Sequence, residues 1–408
     1  MLFLLWANLT TPSPPAAPHI RHTYSTGDSQ FVRVMGNLLG PPMDRGNQVT
    51  ALLNGDEVFP AMLGAIRSAR RSIDFETYIY WSGRVGREFG DALSERARSG
   101  VPTHLLIDWL GSTKADKRIL EGMRQAGVEI VRYRPLRWYS LNRINHRTHR
   151  KLLVVDGRIG FTGGVGVADQ WLGHAQDERH WRDSHFRVEG PVVAQLQAAF
   201  LDNWIEAEGD VLDGEAYFPP LAPAGHGLAQ AFRSAPGEGS SSMRLMYLLA
   251  IAAAAKSIRI ANAYFVPDSE TVAMLVDARR RGAEVEIIVP GPILDAQVVR
   301  RASRAVWGPL LEAGVRIYEY QPTMYHTKVM VVDDIWVSVG STNFDDRSFR
   351  LNDEANLNVL DPEFARGQAQ AFEADRRRSR EVTLEAWRHR PLGERLQERW
   401  ARLLRSQL

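Results

Sequence analysis

The chain alternates between two hydrophobic spacings, and it runs through the series twice. Apolar residues at helical intervals, Val58, Met62, Leu63 and Ile66, lead into Arg71-Ser72-Ile73-Asp74-Phe75, which starts a strand. The apolar stretch 248–255 leads in the same way into Ser257-Ile258-Arg259-Ile260. Helix-like segments then close at Ser99-Gly100 and Arg281-Gly282, and apolar strands follow at 103–107 and 285–289. Ala126-Gly127-Val128-Glu129-Ile130 is matched by Ala313-Gly314-Val315-Arg316-Ile317, and one further apolar strand ends each series. Helices alternating with strands predict α/β layers with largely parallel sheets.

The repeat sets the boundaries. A first lobe spans 46–206 and a second spans 243–362, and 408 residues leave room for two or three such units. Between them, 207–242 reads as a connector, holding Pro219, Pro220, Pro223, Pro236, Gly237, Gly239 and a run of three serines. Residues 1–45 have no periodicity and read as extended or disordered. Residues 363–408 read as a basic, amphipathic helical tail. In it Leu392, Leu396, Trp400, Leu403 and Leu404 fall at helical spacing among Arg395, Arg399, Arg402 and Arg405. Such a helix either docks its apolar stripe on the body, the commoner outcome, or lies in a membrane interface.

The strand that ends each series carries the chemistry. His149-Arg150-Lys151-Leu152-Leu153-Val154-Val155-Asp156 precedes Gly163-Gly164, and His326-Thr327-Lys328-Val329-Met330-Val331-Val332-Asp333 precedes Gly340-Ser341. Residues two apart on a strand share a face, so each His and its Lys point the same way. The glycines would let the backbone approach a ligand. One H-x-K-(x)4-D motif is a weak signal, whereas two at matching places in a repeat are a strong one. A phosphodiester is a poor, anionic electrophile. One neutral imidazole can attack it to give a covalent intermediate, and a second can protonate the leaving oxygen and then deprotonate the acceptor. Lys151 and Lys328 would stabilise charge on the nonbridging oxygens, so the scheme calls for no metal and no cofactor. Asp183 and Glu354 also recur, each eight residues before a proline, Pro191 or Pro362. A carboxylate there would hold the partner imidazole's other nitrogen and fix its tautomer.

Composition narrows the partners. Lys and Arg number 50 against 48 Asp and Glu, a net charge of +2, which argues against a dedicated nucleic-acid binder. With no cysteine there is no disulfide and no thiolate ligand or nucleophile. The apolar start, residues 1–6, lacks the basic flank of a signal peptide. No apolar run reaches the ~20 residues of a membrane span, so membrane contact is expected to be peripheral. Arg132, Arg134, Arg137, Arg143, Arg147 and Arg150, with Trp138 and Tyr139 among them, form a basic, aromatic loop suited to anionic headgroups; a solvated loop packing its two aromatics explains it equally well. Trp171 and Trp181 belong to the core or to the lipid's path, and Glu76 and Asp108 end strands near the cleft. His146, His174, His180 and His185 fall outside the repeat and read as structural or surface residues.

The paired motifs, with Gly340-Ser341-Thr342-Asn343 and Asn352-Asp353-Glu354, resemble the phospholipase D superfamily over about residues 50–362. The resemblance implies a duplicated α/β/α sandwich of two lobes sharing one active site at a pseudo-twofold, and a phosphohistidine intermediate. It adds Ser341 and Asn343 to the supporting residues; Gly166 stands where many relatives carry a second asparagine. The segment 145–164 and Trp181-Arg182-Asp183 resemble the soluble bacterial cardiolipin synthases. That implies a phosphatidyltransferase making cardiolipin from phosphatidylglycerol at the cytoplasmic face of the cell membrane, with His149 as nucleophile and His326 as acid and base. A phospholipase D or nuclease-type hydrolase on the same site, and a non-catalytic lipid-binding module, are the rival expectations.

Overall fold

The computed structural model describes residues 20–135, 145–236, 242–403 and 407. In the first lobe β1 (Asp44–Leu53), β2 (Ile73–Thr77), β3 (Thr103–Asp108), β4 (Glu129–Tyr133), β5 (Arg147–Thr148), β6 (Lys151–Val155), β7 (Ile159–Gly163) and β8 (Ser184–Glu189) follow one another. All but β5 form a sheet in the order β1-β8-β7-β6-β2-β3-β4. The second lobe has β9 (Gly227–Ser234), β10 (Ser257–Asn262), β11 (Glu284–Pro290), β12 (Arg316–Tyr320), β13 (Lys328–Val332), β14 (Trp336–Gly340), β15 (Asn352–Leu360) and β16 (Ser379–Val382). Their order is β9-β15-β14-β13-β10-β11-β12-β16, and an antiparallel pairing of β1 with β9 joins the halves into one continuous sheet.

The sheet is mixed rather than largely parallel. β2, β3 and β4 run parallel, as do β10, β11 and β12. The motif strands β6 and β13 run antiparallel to β2 and β10 and to the strands that follow them. The cause is local: Asp156, Gly157, Asp333 and Asp334 all adopt positive φ. Each motif strand therefore folds straight back as a hairpin, with no crossover helix to make the next strand parallel.

Successive side chains on the strands feed opposite layers. Leu105, Ile107, Leu153 and Val155 pack under the helices Asn54–Ser68 and Arg84–Arg98, while Leu106, Leu152 and Val154 face the other side. That second core also takes in Val329, Val331, Val337 and Val339, beneath the helices Val193–Glu208 and Pro362–Arg376. The two lobes thus share one apolar layer as well as one sheet, and the α/β/α sandwich is a single packed body.

Three stretches outside the repeat differ from expectation. Residues 20–45 hold the helix Ser29–Val34, capped by the Asp28 carboxylate, with Phe31 and Met35 buried in the second lobe. Ile20, Tyr24, Val34, Leu39 and Met43 pack against the same core, and the helical spacing of Phe31, Val34, Met35 and Leu39 is a short run that the reading of 1–45 as extended passed over. The connector supplies β9, a central strand. The tail is helix, strand and two further helices, with β16 antiparallel to β12. Its last helix, Leu392–Leu403, leaves its apolar stripe exposed instead of docking it. Among the described residues no helix is long and apolar enough to cross a membrane.

Candidate active site

Each motif histidine stands just before its strand, where its lobe touches a segment of the other. The His149 N–H donates to the Asp353 carbonyl at 2.9 Å, and β5 pairs parallel with Asn352 and Asp353. The second half repeats the arrangement. The His326 N–H donates to the Arg182 carbonyl at 2.8 Å, and Tyr325 forms a parallel bridge with Arg182. The residue after each of these contacts is a carboxylate. Glu354 therefore lies 3.0 and 3.1 Å from His149 Nδ1, and Asp183 lies 2.6 Å from His326 Nδ1. An ionised carboxylate only accepts, so each Nδ1 carries the proton and each Nε2 is left with a lone pair for chemistry. Lys328 Nζ is also 3.0 Å from His326 Nδ1. Two donors cannot share a hydrogen bond, and the shorter, charge-assisted contact to Asp183 decides the tautomer.

The lysines complete one electrostatic cluster. Lys151 Nζ donates to the His149 carbonyl at 2.7 Å, and Lys328 Nζ to that of His326 at 2.5 Å. Burial pushes Lys151 down to about 7, opposed by Glu354 and helped by the Lys328 charge. Burial likewise lowers Lys328 to about 8, opposed by Asp183 and Glu354. His149 is lowered to about 4 by burial, against Glu354 and with the Lys151 charge, and His326 is lowered by burial and Lys328. Burial alone would raise the two carboxylates, but the paired imidazoles, the lysine charges and the Trp171 and Ser341 donors together hold Asp183 and Glu354 below their ordinary range. Each motif histidine is paired with a carboxylate of the other lobe, so the two motifs meet where the lobes join. There neutral imidazoles sit beside fixed carboxylates and two easily discharged ammonium groups.

The carboxylates are cradled differently. Asp183 also accepts from Trp171 Nε1 at 2.9 Å and the Ser184 N–H at 2.8 Å. Glu354 accepts from Ser341 Oγ at 2.5 Å and Ser348 Oγ at 2.7 Å. The expectation that the glycines admit a ligand is corrected here. A Cβ on Gly164 would lie 2.2 Å from Asp183 Oδ1, and one on Gly340 would lie 2.3 Å from the Ala355 carbonyl. They make room for the carboxylate and its strand. At Gly166 a Cβ would meet Ile79 and the Trp171 ring at 3.0 and 3.2 Å. Trp171, buried with its ring 5.5 Å from His326, fills the space an asparagine would need. Asn343 is buried in the other half, and its Oδ1 has no hydrogen-bond partner.

Residues 62–204 and 247–376, the bodies of the two lobes, match the family described as cardiolipin synthase, phospholipase D-like domain. The chain belongs to this family. It is 37% identical over 374 residues to cardiolipin synthase 1 of Bacillus anthracis, covering 90% of this chain and 73% of that one. It is 34% identical over 402 residues to the cardiolipin synthase of Geobacillus kaustophilus, covering 96% and 78%. Among solved structures, the phosphatidylserine synthase of Haemophilus influenzae matches with a TM-score of 0.70 over 93% of this chain and 100% of that one. At 15% identity that likeness shows the shared fold.

Within this phospholipase D-like frame not every expected residue reaches the site. Asp156 and Asp333 stand at the far ends of the motif strands, seven residues and about 23 Å from the histidines. Asp156 accepts the N–H groups of Arg70, Arg71 and Ser72, and Asp333 accepts those of Ala255, Lys256 and Ser257 and the Thr26 hydroxyl. They close the turn before β2 and β10; the motif spacing spans one strand length, not one catalytic cluster. The basic loop also divides. Arg134 pairs with Glu206 and Asp353, Arg147 with Asp108, and Arg150 is fully buried on the carbonyls of Ala199, Ser234 and Glu354. Arg137, Trp138, Tyr139 and Arg143 lie outside the described residues. Glu76 and Asp108 brace Thr148, beside His149, through its hydroxyl and its N–H. His174 and His180 pair with Asp56 and Asp177. His185 is buried behind Gly163. Trp171 is a core residue, the first of its two expected places, whereas Ser348 and Tyr78, whose ring lies 5.4 Å from that of His149, have no repeat partner in sequence that would have marked them.

Proposed function

We propose that this chain is a phosphatidyltransferase that joins two molecules of phosphatidylglycerol into cardiolipin through a phosphohistidine intermediate. The observation that carries the reading is the pair of cross-lobe Nδ1–carboxylate contacts, which turn both Nε2 lone pairs to chemistry. In the first step His149 Nε2 attacks phosphorus; the P–N bond forms as the P–O bond to glycerol breaks, and the His326 imidazolium protonates the departing alkoxide. The anionic phosphodiester itself favours that imidazolium, offsetting the burial that lowers His326. In the second step a hydroxyl of another phosphatidylglycerol gives its proton to His326 and attacks phosphorus, and the P–N bond breaks. Lys151 and Lys328 stabilise the nonbridging oxygens throughout, with Ser341 and Asn343 as supporting polar groups. Turnover in EDTA should match turnover without it.

The name cardiolipin synthase that the relatives carry supports the product, and the same proposal has the protein working peripherally at the cytoplasmic face of an anionic membrane. The deciding experiment incubates purified protein with phosphatidylglycerol vesicles and follows the lipids by mass spectrometry. Cardiolipin and free glycerol are expected. Phosphatidic acid alone would mean that water is the acceptor and the chain is a hydrolase, and no product would leave a lipid-binding module.

A further inference from the structure

We infer that the helix Leu392–Leu403 docks the protein on an anionic bilayer, laying its apolar face among the headgroups beside the active site. The inference rests on the phospholipid reading of that site and adds where the lipid surface meets the protein.

The helix is attached the wrong way round for a core element. Its buried contacts are polar. Glu398 accepts from Arg304 Nε at 3.1 Å and Arg390 Nε at 2.7 Å, and Glu394 lies 3.5 Å from Arg304 Nη2. Among the described residues of the helix, the one buried apolar side chain is the small Ala401, against Val299 and Ala302 of the helix Gln297–Arg304. Leu392, Leu396, Trp400 and Leu403 remain 78, 59, 66 and 72% exposed. Their spacing places them on one stripe. Single exposed apolar residues are ordinary, whereas four large ones in a row mark a surface that something covers.

Charge and position identify what covers it. Arg395 and Arg399 are exposed on the same helix, and cations beside a leucine and tryptophan stripe suit an anionic interface. The helix is also tied to the site. Tyr264 packs in the Ala401 cluster and lies two residues after Asn262, the strand partner of Lys328. Beyond the helix, Gln407 accepts from Asn145 Nδ2 at 3.2 Å and from Arg347 Nη1 at 3.4 Å. Asn145 lies four residues before His149, and Arg347 four after Asn343. A bilayer on this stripe would present lipids next to the histidines.

Vesicle sedimentation of the chain, with every variant compared in a His149→Ala background that cannot turn the lipid over, reads binding alone, so its result stands apart from whether the reaction is transfer or hydrolysis. Binding is expected to phosphatidylcholine vesicles containing phosphatidylglycerol, and much less to phosphatidylcholine alone. Leu396→Glu with Trp400→Glu should weaken binding roughly tenfold or more at an unchanged thermal midpoint. Arg395→Glu with Arg399→Glu should weaken it on anionic vesicles only, with the wild-type difference vanishing at high salt. Equal binding by the Leu396 and Trp400 variant would overturn the inference, as would no wild-type binding to anionic vesicles. So would a dimer on size exclusion that this variant dissolves while vesicle binding persists, since a second copy would then cover the stripe.

Discussion

Nδ1 of His149 lies 3.0 Å from Oε1 of Glu354, a carboxylate 205 residues away in the opposite lobe. His326 and Asp183 repeat the contact in the other direction, so each lobe supplies one imidazole and the group that orients its counterpart. Glu354→Gln and Asp183→Asn keep the size but remove the charge that fixes the tautomer. Each should lower kcat by about two to four orders of magnitude with little change in KM. Steady-state kinetics check this, and a variant with near-normal kcat would show that the contact only holds the lobes together.

His149→Ala and His326→Ala should each abolish measurable turnover, a loss on the order of a thousandfold or more, with unchanged circular dichroism. The double variant should be no worse than either single one, because the two act as a unit. Independent, multiplying effects in the rate assay would contradict a shared site.

Lys151 and Lys328 set the alkaline limb. Their ammonium forms are lost as pH rises through about 7 and about 8, so kcat/KM should fall over that range. The linkage runs the other way for stability. The unfolded chain keeps these protons to higher pH, so the lysines' contribution to stability rises with pH from about 7. Lys151→Met should therefore abolish activity while raising the thermal midpoint by roughly a few degrees. A lowered midpoint in calorimetry would show that the charge stabilises the fold.

Asp156→Ala separates the motif's structural end from its chemical end. It strips three backbone N–H groups of their acceptor, at a cost of about 1–3 kcal/mol. Denaturant unfolding should register that loss, while kcat per folded molecule stays near wild type. A collapse of kcat at full folding would return Asp156 to the catalytic group.

The repeat made most of this legible in advance. His149 and His326 and the lysines beside them stood out because each occurs twice in register, and Asp183 and Glu354 because each stands eight residues before a proline in its half. What the sequence hid is whatever does not repeat. Trp171 serves Asp183 where Ser341 and Ser348 serve Glu354, and no periodicity announces a substitution of one donor for another. Asp156 and Asp333 repeat as faithfully as the histidines, yet they cap turns a strand length away. Recurrence marks what both halves need and does not separate folding from chemistry. Phe31 and Met35 escaped because their helical run, with Val34 and Leu39, is short and stands outside the repeat.

The covalent intermediate is the central claim, and trapping it is the most direct test. A donor phosphatidyl ester whose leaving group needs no proton can load His149 without an acid, whereas resolution needs His326 as base. The His326→Asn variant, mixed with such a donor carrying labelled phosphorus and quenched rapidly, should accumulate label that is acid-labile and base-stable, and peptide mapping should place it on His149. Label on His326 in the converse His149→Asn variant would exchange the two roles. No label on either variant, with the wild type turning over the same donor, would mean direct transfer between lipids and would contradict the two-step account.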